Sequence, residues 1–393
     1  MSNTAPPNRP NRKNLAVIFS AALLMLACTQ KQVLPEKQPS VSLPEYQQTD
    51  FQRYIADNQQ WLRENRHYLS DDTELEIAIN SPFELKPMQP NGKAVLLVHG
   101  LSDSPYSFID IGQELVKQGY LVRTLLLPGH GSKAADLMLP VLDDWTGIVK
   151  HHTQLLIQRY DEVWLGGYST GANLVTIEAS ENPQVAGLLL FSPAFKPDNN
   201  LVRLAPIARH FVDWADEDPE ENIAKYDSLP MNGAAVYYQT SSLVREKLAE
   251  QPVDIPVFMA ISEGDSVIDT LAALELYQKR FKHSNNQLAW FGEYQPNVQG
   301  LHQFSMRLPE QKISAGSHMS PLYKPENTHY GVSGRFRMCA NGQDEVQELL
   351  CREGDDVWFS GWGYREEGKV YARLSWNPYF DETIAVIQQV MRF

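Results

Sequence analysis

The sequence predicts an α/β protein with a mostly parallel central sheet flanked by helices. From about residue 93 the chain alternates short aliphatic and β-branched runs with longer helical patterns. The apolar runs are continuous, which indicates strands that are buried on both faces, as in a parallel sheet. The predicted strands are 94–98, 121–127, 162–166, 185–191, 256–262 and 287–291.

Helical patterns fill the intervals between these strands, at 105–118, 141–160, 170–181 and 269–282. A last helix, beginning near Asp381, is expected to pack against the sheet because it collects apolar residues on one face. Those residues are Ile384, Ile387, Val390 and Met391.

Two regions interrupt the alternation, and we predict that both are insertions in one folded domain covering residues 50–393. Residues 196–250, which include the acidic run 213-DWADEDPEEN-222, are expected to form a cap over the functional site. Residues 330–376 are rich in glycine, aromatic and charged residues and are expected to form a β-rich insertion before the last helix.

The N-terminus has the pattern of an export signal. Arg9, Arg12 and Lys13 precede the apolar run 15-LAVIFSAALLMLA-27, which is too short for a comfortable membrane span. Its end, 24-LMLAC-28, resembles a bacterial lipobox, which implies a signal peptide over 1–27 and a lipid on Cys28; the alternative is a plain cleaved signal. Residues 28–49, rich in Gln, Pro, Lys and Ser, are expected to be a flexible tether. By analogy with lipoproteins, Thr29 favours the outer membrane, facing the periplasm or the cell surface.

The net charge and the cysteines indicate which partners and which cellular compartment suit the protein. The formal net charge of −14 argues against nucleic acid as a partner, because its phosphates would repel the protein. Export would permit a disulfide between Cys339 and Cys351; the alternative is two buried free thiols.

The stretch 164-WLGGYSTGANLVTI-177 places Ser169 between a predicted strand and a predicted helix. A strand, a sharp turn and a helix expose a serine hydroxyl at the sheet edge, and Gly167 and Gly171 allow the two elements to approach closely. We therefore interpret Ser169 as a nucleophile; the alternative is an ordinary serine in a glycine-rich turn.

A serine nucleophile needs a base and an acid that orients the base, in the chain order acid and then histidine. Asp265 follows the strand 256–262 and is the expected acid, whereas Asp269 is more easily read as a helix N-cap. Three later histidines could be the base: His302, His318 and His329. His318 is favoured because it ends a run of small residues on a loop.

Two backbone N–H groups must stabilise the oxyanion. Thr170, directly after the nucleophile, supplies one, and Leu101, in the loop after the strand 94–98, supplies the other. His99 precedes the serine in the chain and is expected to hold that loop. The histidines show no metal-ligand spacing, so neither a metal nor another cofactor is expected.

Taken together, 99-HGLSDS-104, 125-LLLPGHG-131, Asp144-Trp145 and 167-GYSTG-171 resemble the α/β-hydrolases of the carboxylesterase and monoacylglycerol lipase type, a serine aminopeptidase-like branch. The resemblance covers about residues 93–320 and the last helix. It implies an α/β-hydrolase fold, with Ser169, Asp265 and His318 as the triad and Leu101 and Thr170 as the oxyanion hole. The sequence departs from the family after the strand 287–291, because some 25 residues precede His318 where the histidine loop normally follows closely.

The expected function is hydrolysis of carboxylic esters by a serine hydrolase that a lipid anchors to a bacterial membrane. The substrate would be a small-molecule or lipid ester, with acyl glycerides and lysophospholipids as examples. A peptidase or amidase on the same fold is the alternative enzyme, since the same triad also cleaves amides. A binding lipoprotein without catalysis is the remaining alternative.

Overall fold

The computed structural model describes residues 34–354 and 356–392. Its α-helices are α1 Phe51–Asn65, α2 Thr73–Asn80, α3 Ile109–Lys117, α4 Leu142–Ile157, α5 Thr170–Glu181, α6 Ala205–Ala208, α7 Met231–Glu250, α8 Thr270–Arg280, α9 Glu345–Glu353 and α10 Phe380–Met391. Its strands are β1 Glu84–Leu85, β2 Lys93–Val98, β3 Leu121–Leu125, β4 Glu162–Tyr168, β5 Val185–Phe191, β6 Trp214–Asp216, β7 Leu229–Pro230, β8 Val257–Ser262, β9 Gln287–Phe291, β10 Leu301–Phe304, β11 Val357–Ser360 and β12 Val370–Arg373.

The central sheet has eight strands in the order β1-β3-β2-β4-β5-β8-β9-β10. Only the edge strand β1 runs antiparallel to its neighbour; the other pairs are parallel. The predicted α/β architecture is therefore confirmed, and each of the six predicted strands is present. Strand β3 ends two residues earlier than expected and β4 continues to Tyr168.

Helices cover both faces of this sheet, which buries the strands as their continuous apolar sequences require. Except for Lys93 and Ala186, the residues of β2, β5 and β8 are buried, and the indoles of Trp145, Trp164 and Trp290 lie within the core. The last helix, α10, packs against β8 and β9 through the apolar face that the sequence predicted.

The extra residues between β9 and the predicted histidine loop form an additional edge strand. After β9 the chain crosses back through residues 292–300, and β10 then runs parallel to β9, with Leu301 opposite Leu288. The chain consequently returns to the carboxyl edge of the sheet before it reaches His318. The added strand lengthens the sequence between β9 and the histidine loop without changing the edge at which that loop lies.

Residues 196–250, called the cap below, combine a 3₁₀ turn at Asn200–Leu204 with α6, the short β6–β7 pair and the long helix α7. Helix α7 packs on α5, the helix that follows Ser169. The cap also contacts the loop after β2, because Tyr226 N–H donates a hydrogen bond of 2.7 Å to Ser102 O.

The insertion at residues 330–376 is not the β-rich unit that the sequence suggested. It contains the nine-residue helix α9 and one parallel pair of four-residue strands, β11 and β12. Some aromatic residues of this region pack on one another in loops, as Tyr330 and Phe336 do with ring centroids 6.3 Å apart. Cys339 and Cys351 form a disulfide, with an S–S distance of 2.02 Å, on the side of this insertion.

The flexible tether predicted for residues 28–49 is wrong for its described part, residues 34–49, which we call the strap. Ser40 is buried, and its backbone N–H donates a hydrogen bond of 2.5 Å to Asp136 Oδ1. Farther along, the Gln48 carbonyl bonds His151 Nε2 at 3.0 Å. Cys28 and the predicted signal peptide lie outside the described residues. Among the residues that are described, no helix has the length and apolar character needed to cross a membrane.

Candidate active site

Ser169 lies in the sharp turn between β4 and α5. Its backbone has φ 53° and ψ −116°, a left-handed conformation that a non-glycine residue adopts at a cost of about 1–3 kcal/mol. The turn is held by a hydrogen bond of 2.9 Å from Ser169 N–H to Phe191 O, at the end of β5. Strain of this kind persists only where the surrounding structure enforces it, and here it lifts the serine side chain off the sheet edge.

Both glycines of the turn are required by close backbone approaches. A Cβ on Gly171 would lie 2.0 Å from Val98 O, and a Cβ on Gly167 would lie 2.4 Å from Ala172 N. Real Cβ atoms do not come this close to backbone atoms, so any side chain would push α5 away from β2 and β4. The glycine spacing around Ser169 therefore has the physical cause that the sequence suggested.

Asp265 and His318 are joined by a short hydrogen bond. His318 Nδ1 donates to Asp265 Oδ2 at 2.5 Å, and the side chains are 10% and 0% exposed. The second oxygen of Asp265 accepts from the backbone N–H of Val267 at 2.8 Å, which fixes the carboxylate. With Nδ1 engaged in this way, the Nε2 atom of His318 is left to accept a proton.

The histidine loop and the serine turn are tied to consecutive residues of the same strand end. Phe191 O accepts from Ser169 N–H, and Ser192 Oγ donates a hydrogen bond of 2.8 Å to His318 O. The imidazole also packs on the ring of Tyr168, the residue before Ser169, with ring centroids 5.0 Å apart. The structure thus brings the Ser169 turn and the Asp265–His318 pair to the same carboxyl edge of the sheet.

The alternative acid and bases lie elsewhere. Asp269 caps α8 through Ala272 N at 2.9 Å and pairs with Lys196 at 2.7 Å. His302, on β10, bonds Gln287 Oε1 at 2.8 Å. His329 is buried and bonds Asn222 Oδ1 of the cap at 3.1 Å, and burial lowers its pKa to about 4. None of the three has a hydrogen bond to Asp265 within the described part of the chain.

Leu101 and Thr170, the predicted oxyanion donors, flank Ser169. Thr170 opens helix α5, so its N–H belongs to the first turn, where amides have no intrahelical partner. Gly100 brings the Leu101 loop against the serine, because a Cβ on Gly100 would lie 3.1 Å from the Cβ of Ser169. Among the described residues, neither the Leu101 nor the Thr170 amide donates a hydrogen bond to a protein acceptor. Both amides are therefore free to bind an oxyanion.

Two buried histidines hold this loop. His99 accepts from Leu127 N–H at 3.0 Å through Nε2 and donates from Nδ1 to Gly100 O at 2.8 Å. His130 accepts from Ser102 N–H at 3.1 Å through Nε2, and its ring lies 4.9 Å from that of His99. Burial lowers the pKa of His99 to about 4, so the neutral ring that these bonds require is stable at neutral pH.

Charged side chains lie on one side of the Leu101–Asp103 loop and an apolar cluster lies on the other. Leu101 packs into an apolar cluster with Ala194, Val202, Tyr237 and Ile268. The neighbouring surface of the cap carries exposed apolar side chains, among them Phe211, which is 83% exposed, together with Leu201, Leu204 and Ile207. On the other side, Ser102 and Asp103 line a cavity of about 400 Å³ whose walls are rich in charged residues.

Sequence reasoning missed Ser192 and Asp103. Asp103 is buried, and its oxygens accept from Ser104 N–H at 2.9 Å and from the Ser107 hydroxyl. Burial raises its pKa to about 6, although the charges of Lys225 and His318 oppose the rise. The bond from Ser192 to His318 joins residues 126 apart in the sequence. Asp103 lies in the motif 99-HGLSDS-104 and its bonds are local, but its burial depends on the tertiary fold. In the described ranges, no group of three or more His, Cys, Asp or Glu side chains is placed to hold a metal ion.

The eight-stranded sheet, the strained serine turn and the acid and histidine loops define an α/β-hydrolase. Comparison with known proteins agrees with this class. The family model described as serine aminopeptidase, S33 (Hydrolase_4) matches residues 89–294, more than half of the 393-residue chain. The chain belongs to this family and is a lipase-like hydrolase.

Three relatives illustrate the range of similarity. A thermostable monoacylglycerol lipase of Bacillus sp. (strain H-257) is 31% identical over 186 residues, covering 44% of this chain and 71% of that protein. A carboxylesterase of Bacillus subtilis (strain 168) is 21% identical over 226 residues, covering 56% and 89%. A solved structure, the monoacylglycerol lipase of Paleococcus ferrophilus, has a TM-score of 0.44 at 17% identity, covering 60% of this chain and 90% of that one.

The matched range includes Ser169 and Asp265 and ends before His318. The choice of His318 therefore depends on its hydrogen bond to Asp265 and not on the family match.

Proposed function

We propose that this protein hydrolyses carboxylic esters of lipids by a serine mechanism, with Ser169 as nucleophile, His318 as general base and Asp265 as the acid that orients it. The observation that carries the proposal is the 2.5 Å bond between His318 and Asp265 beside the strained turn of Ser169. The two Bacillus relatives are named as a monoacylglycerol lipase and a carboxylesterase, which supports an ester as the substrate.

In the proposed reaction, Ser169 Oγ attacks the acyl carbon and its proton passes to His318 Nε2. The oxygen of the tetrahedral intermediate takes the negative charge and is bound by the amides of Leu101 and Thr170. His318 then gives its proton to the departing alcohol, which leaves an acyl group on Ser169. Water attacks this acyl-enzyme with His318 again as base, and the carboxylic acid departs. The reaction needs no cofactor.

The apolar surroundings favour an acyl chain as the acid part of the ester. The cluster of Leu101, Val202, Tyr237 and Ile268 adjoins the oxyanion loop, and the cap beside it exposes Phe211 and Ile207. Contiguous exposed apolar side chains are uncommon on soluble proteins and mark interaction surfaces. We propose that this surface receives the acyl chain from a lipid phase.

We also propose that Cys28 carries a lipid that anchors the protein to a bacterial membrane, at the outer membrane. The disulfide between Cys339 and Cys351 suits export to an oxidising compartment. Six residue steps separate Cys28 from Leu34, which limits the distance from the lipid to the start of the strap to about 20 Å. Because Lys37 of the strap pairs with Glu217, this would hold the cap near the membrane. Labelling with radioactive palmitate tests the anchor; wild type should be labelled and Cys28→Ser should not.

A peptidase or amidase is the second candidate, and the family description, serine aminopeptidase, is what favours it. A protein chain beginning at Thr29 is assayed on p-nitrophenyl esters of increasing acyl length and on aminoacyl p-nitroanilides. Ester turnover that is lost in Ser169→Ala and His318→Ala, but kept in the matched control His329→Ala, supports the proposal. Turnover of the anilides alone supports the peptidase. No turnover by a folded wild type supports a binding lipoprotein.

A further inference from the structure

The cavity beside the oxyanion loop is separate from the catalytic groups but electrostatically linked to them. Its walls are formed by the cap, the strap and the loop residues Ser102 and Asp103, and neither Ser169 nor His318 lines it. Ser102 and Asp103 directly follow Leu101, so the cavity adjoins the oxyanion loop, and the charge of Asp103 acts on both His318 and Lys225. A group bound in this cavity would therefore lie next to the reaction centre.

The two sides of the oxyanion loop match the two parts of an ester. The apolar cluster around Leu101 suits an acyl chain, whereas the cavity past Ser102 presents the charged Glu220 and Lys225 of the cap beside the indole of Trp214. Charged groups in the wall of the cavity on this side suit a polar alcohol part, which becomes the leaving group.

The backbone that carries Lys225 is fixed by contacts from several directions. Tyr226 N–H bonds Ser102 O at 2.7 Å, and the Asn222 amide bonds the Tyr330 hydroxyl at 2.8 Å. Between them, Ile223 O accepts from Arg66 at 2.8 Å. The segment therefore holds the Lys225 side chain at a defined place in the cavity wall.

Three other charged groups in this wall have partners. Arg66 pairs with the buried Glu76 at 2.7 Å, Lys37 pairs with Glu217, and Glu220 accepts from the backbone N–H of Asp227 at 2.8 Å. Lys225 differs from them, because its ammonium has no hydrogen bond and no ion pair with any residue that the structure describes.

The surroundings of Lys225 disfavour the charged form of its ammonium group. Burial lowers the pKa of Lys225, and the more distant carboxylates of Asp103 and Asp227 only partly offset it, while Arg373 adds a like charge. An anion bound beside this partly buried ammonium would stabilise its charged form.

We propose that this cavity binds the alcohol part of the ester, and that Lys225 binds an anionic group, a phosphate or a carboxylate, on that alcohol. The inference rests on the proposed ester hydrolysis and assigns its substrate class. Lysine recognises such groups as a point charge, so the site accepts either anion, and a phosphate would make the substrate a lysophospholipid.

The test compares three lauroyl esters with one acyl chain and one skeleton: those of glycerol, glycerol phosphate and glyceric acid. Full-length protein and its Lys225→Gln and Lys225→Arg variants are assayed for kcat/KM below the critical micelle concentration. Lys225→Gln should lower kcat/KM for the preferred anionic ester about 10- to 100-fold, the loss of one charge-assisted hydrogen bond, and change the neutral ester less than about twofold. Lys225→Arg should restore most of the loss, and the surface control Lys282→Gln should change nothing.

The ester that the wild type prefers identifies the anionic group. Preference for the glycerol phosphate ester indicates a phosphate, and preference for the glyceric acid ester indicates a carboxylate. An equal fall on all three esters would overturn the proposal, because Lys225 would then only support the fold near Asp103. A wild type that prefers the neutral ester would overturn it as well. Failure to hydrolyse any ester would refute the proposed function instead.

Inhibition of the wild type provides a second measurement if Lys225→Gln does not fold. Glycerol phosphate or glycerate should inhibit hydrolysis of the neutral ester competitively, at concentrations at which glycerol does not. Equal inhibition by all three compounds would contradict an anionic site.

Discussion

Replacing His99 by alanine should damage both the stability of the protein and its catalysis. The imidazole bridges two loops, with Leu127 N–H at 3.0 Å on Nε2 and Gly100 O at 2.8 Å from Nδ1, and it is fully buried. His99→Ala leaves a buried N–H and a buried carbonyl without partners, at about 1–3 kcal/mol each, and removes the ring from its contact with His130. We expect the free energy of unfolding to fall by about 3–6 kcal/mol.

The catalytic effect follows from the position of the neighbouring amide. Leu101 is two residues beyond His99, and its N–H is one of the two proposed oxyanion donors. Loss of one such donor costs about 10²–10³ in kcat in enzymes of this kind, so kcat/KM should fall by a factor within or below that range. The measurements are urea unfolding followed by circular dichroism, and kcat/KM on a soluble ester.

His302→Ala is the matched control, because His302 is partly exposed on the edge strand β10 and, among the residues the structure describes, its side chain makes one hydrogen bond, to Gln287 Oε1. It should cost no more than about 1.5 kcal/mol and leave kcat/KM unchanged. If His99→Ala costs less than about 1 kcal/mol, or leaves kcat/KM equal to that of the control, the bridging role of His99 is refuted.

Three further predictions concern the acid, a second buried histidine and the disulfide. Asp265→Asn should keep the fold but lower kcat by about 10⁴, because the amide holds His318 in the wrong tautomer; a loss below tenfold in steady-state kinetics would exclude Asp265 as the acid. Burial, with the charges of His151 and Arg123, lowers the pKa of His152 to about 3. Unfolding restores a pKa near 6.5, so below pH 6.5 the unfolded chain binds a proton at His152 that the folded chain does not. The stability contributed by neutral His152 is therefore present above pH 6.5 and is lost as the pH falls towards 3. Both its nitrogens lack hydrogen-bond partners among the described residues, so His152→Leu should stabilise the protein by about 2 kcal/mol more at pH 5 than at pH 7; equal effects in urea titrations at the two pH values would contradict this. Cys351→Ser should lower the unfolding free energy by up to about 3 kcal/mol, the loop-closure value for Cys339 and Cys351, with kcat/KM unchanged; an unaltered urea midpoint would show that the disulfide does not stabilise the folded chain.

The sheet could be predicted from the sequence because its signals are local. Continuous apolar runs mark buried parallel strands, and the glycines beside Ser169 mark a close approach that the Gly171 geometry explains. The strap, α1 and α2 were not predicted, because they precede the strand–helix alternation and their packing depends on distant partners. Strand β10 was not predicted, because the short segment 301-LHQF-304 lies at the sheet edge and lacks the continuous apolar run of a buried strand.

The residues of the candidate site also fall into those with a local sequence signal and those whose positions depend on distant contacts. The serine turn is local, whereas the choice among three histidines depends on which of them meets Asp265, a pairing across 53 residues. The extra strand β10 removed the family spacing that would normally identify the base. The Lys225 cavity had no sequence signal, because it exists only where the cap, the strap and the oxyanion loop meet.

The most direct test of the central claim, that Ser169 is the nucleophile, is covalent labelling with a fluorophosphonate followed by peptide mass spectrometry. The wild type should carry one phosphonyl group on the peptide containing Ser169 and lose its ester hydrolysis in proportion. Ser169→Ala, folded by circular dichroism, should remain unlabelled and inactive. Labelling on another serine, or full ester hydrolysis by Ser169→Ala, would contradict the mechanism.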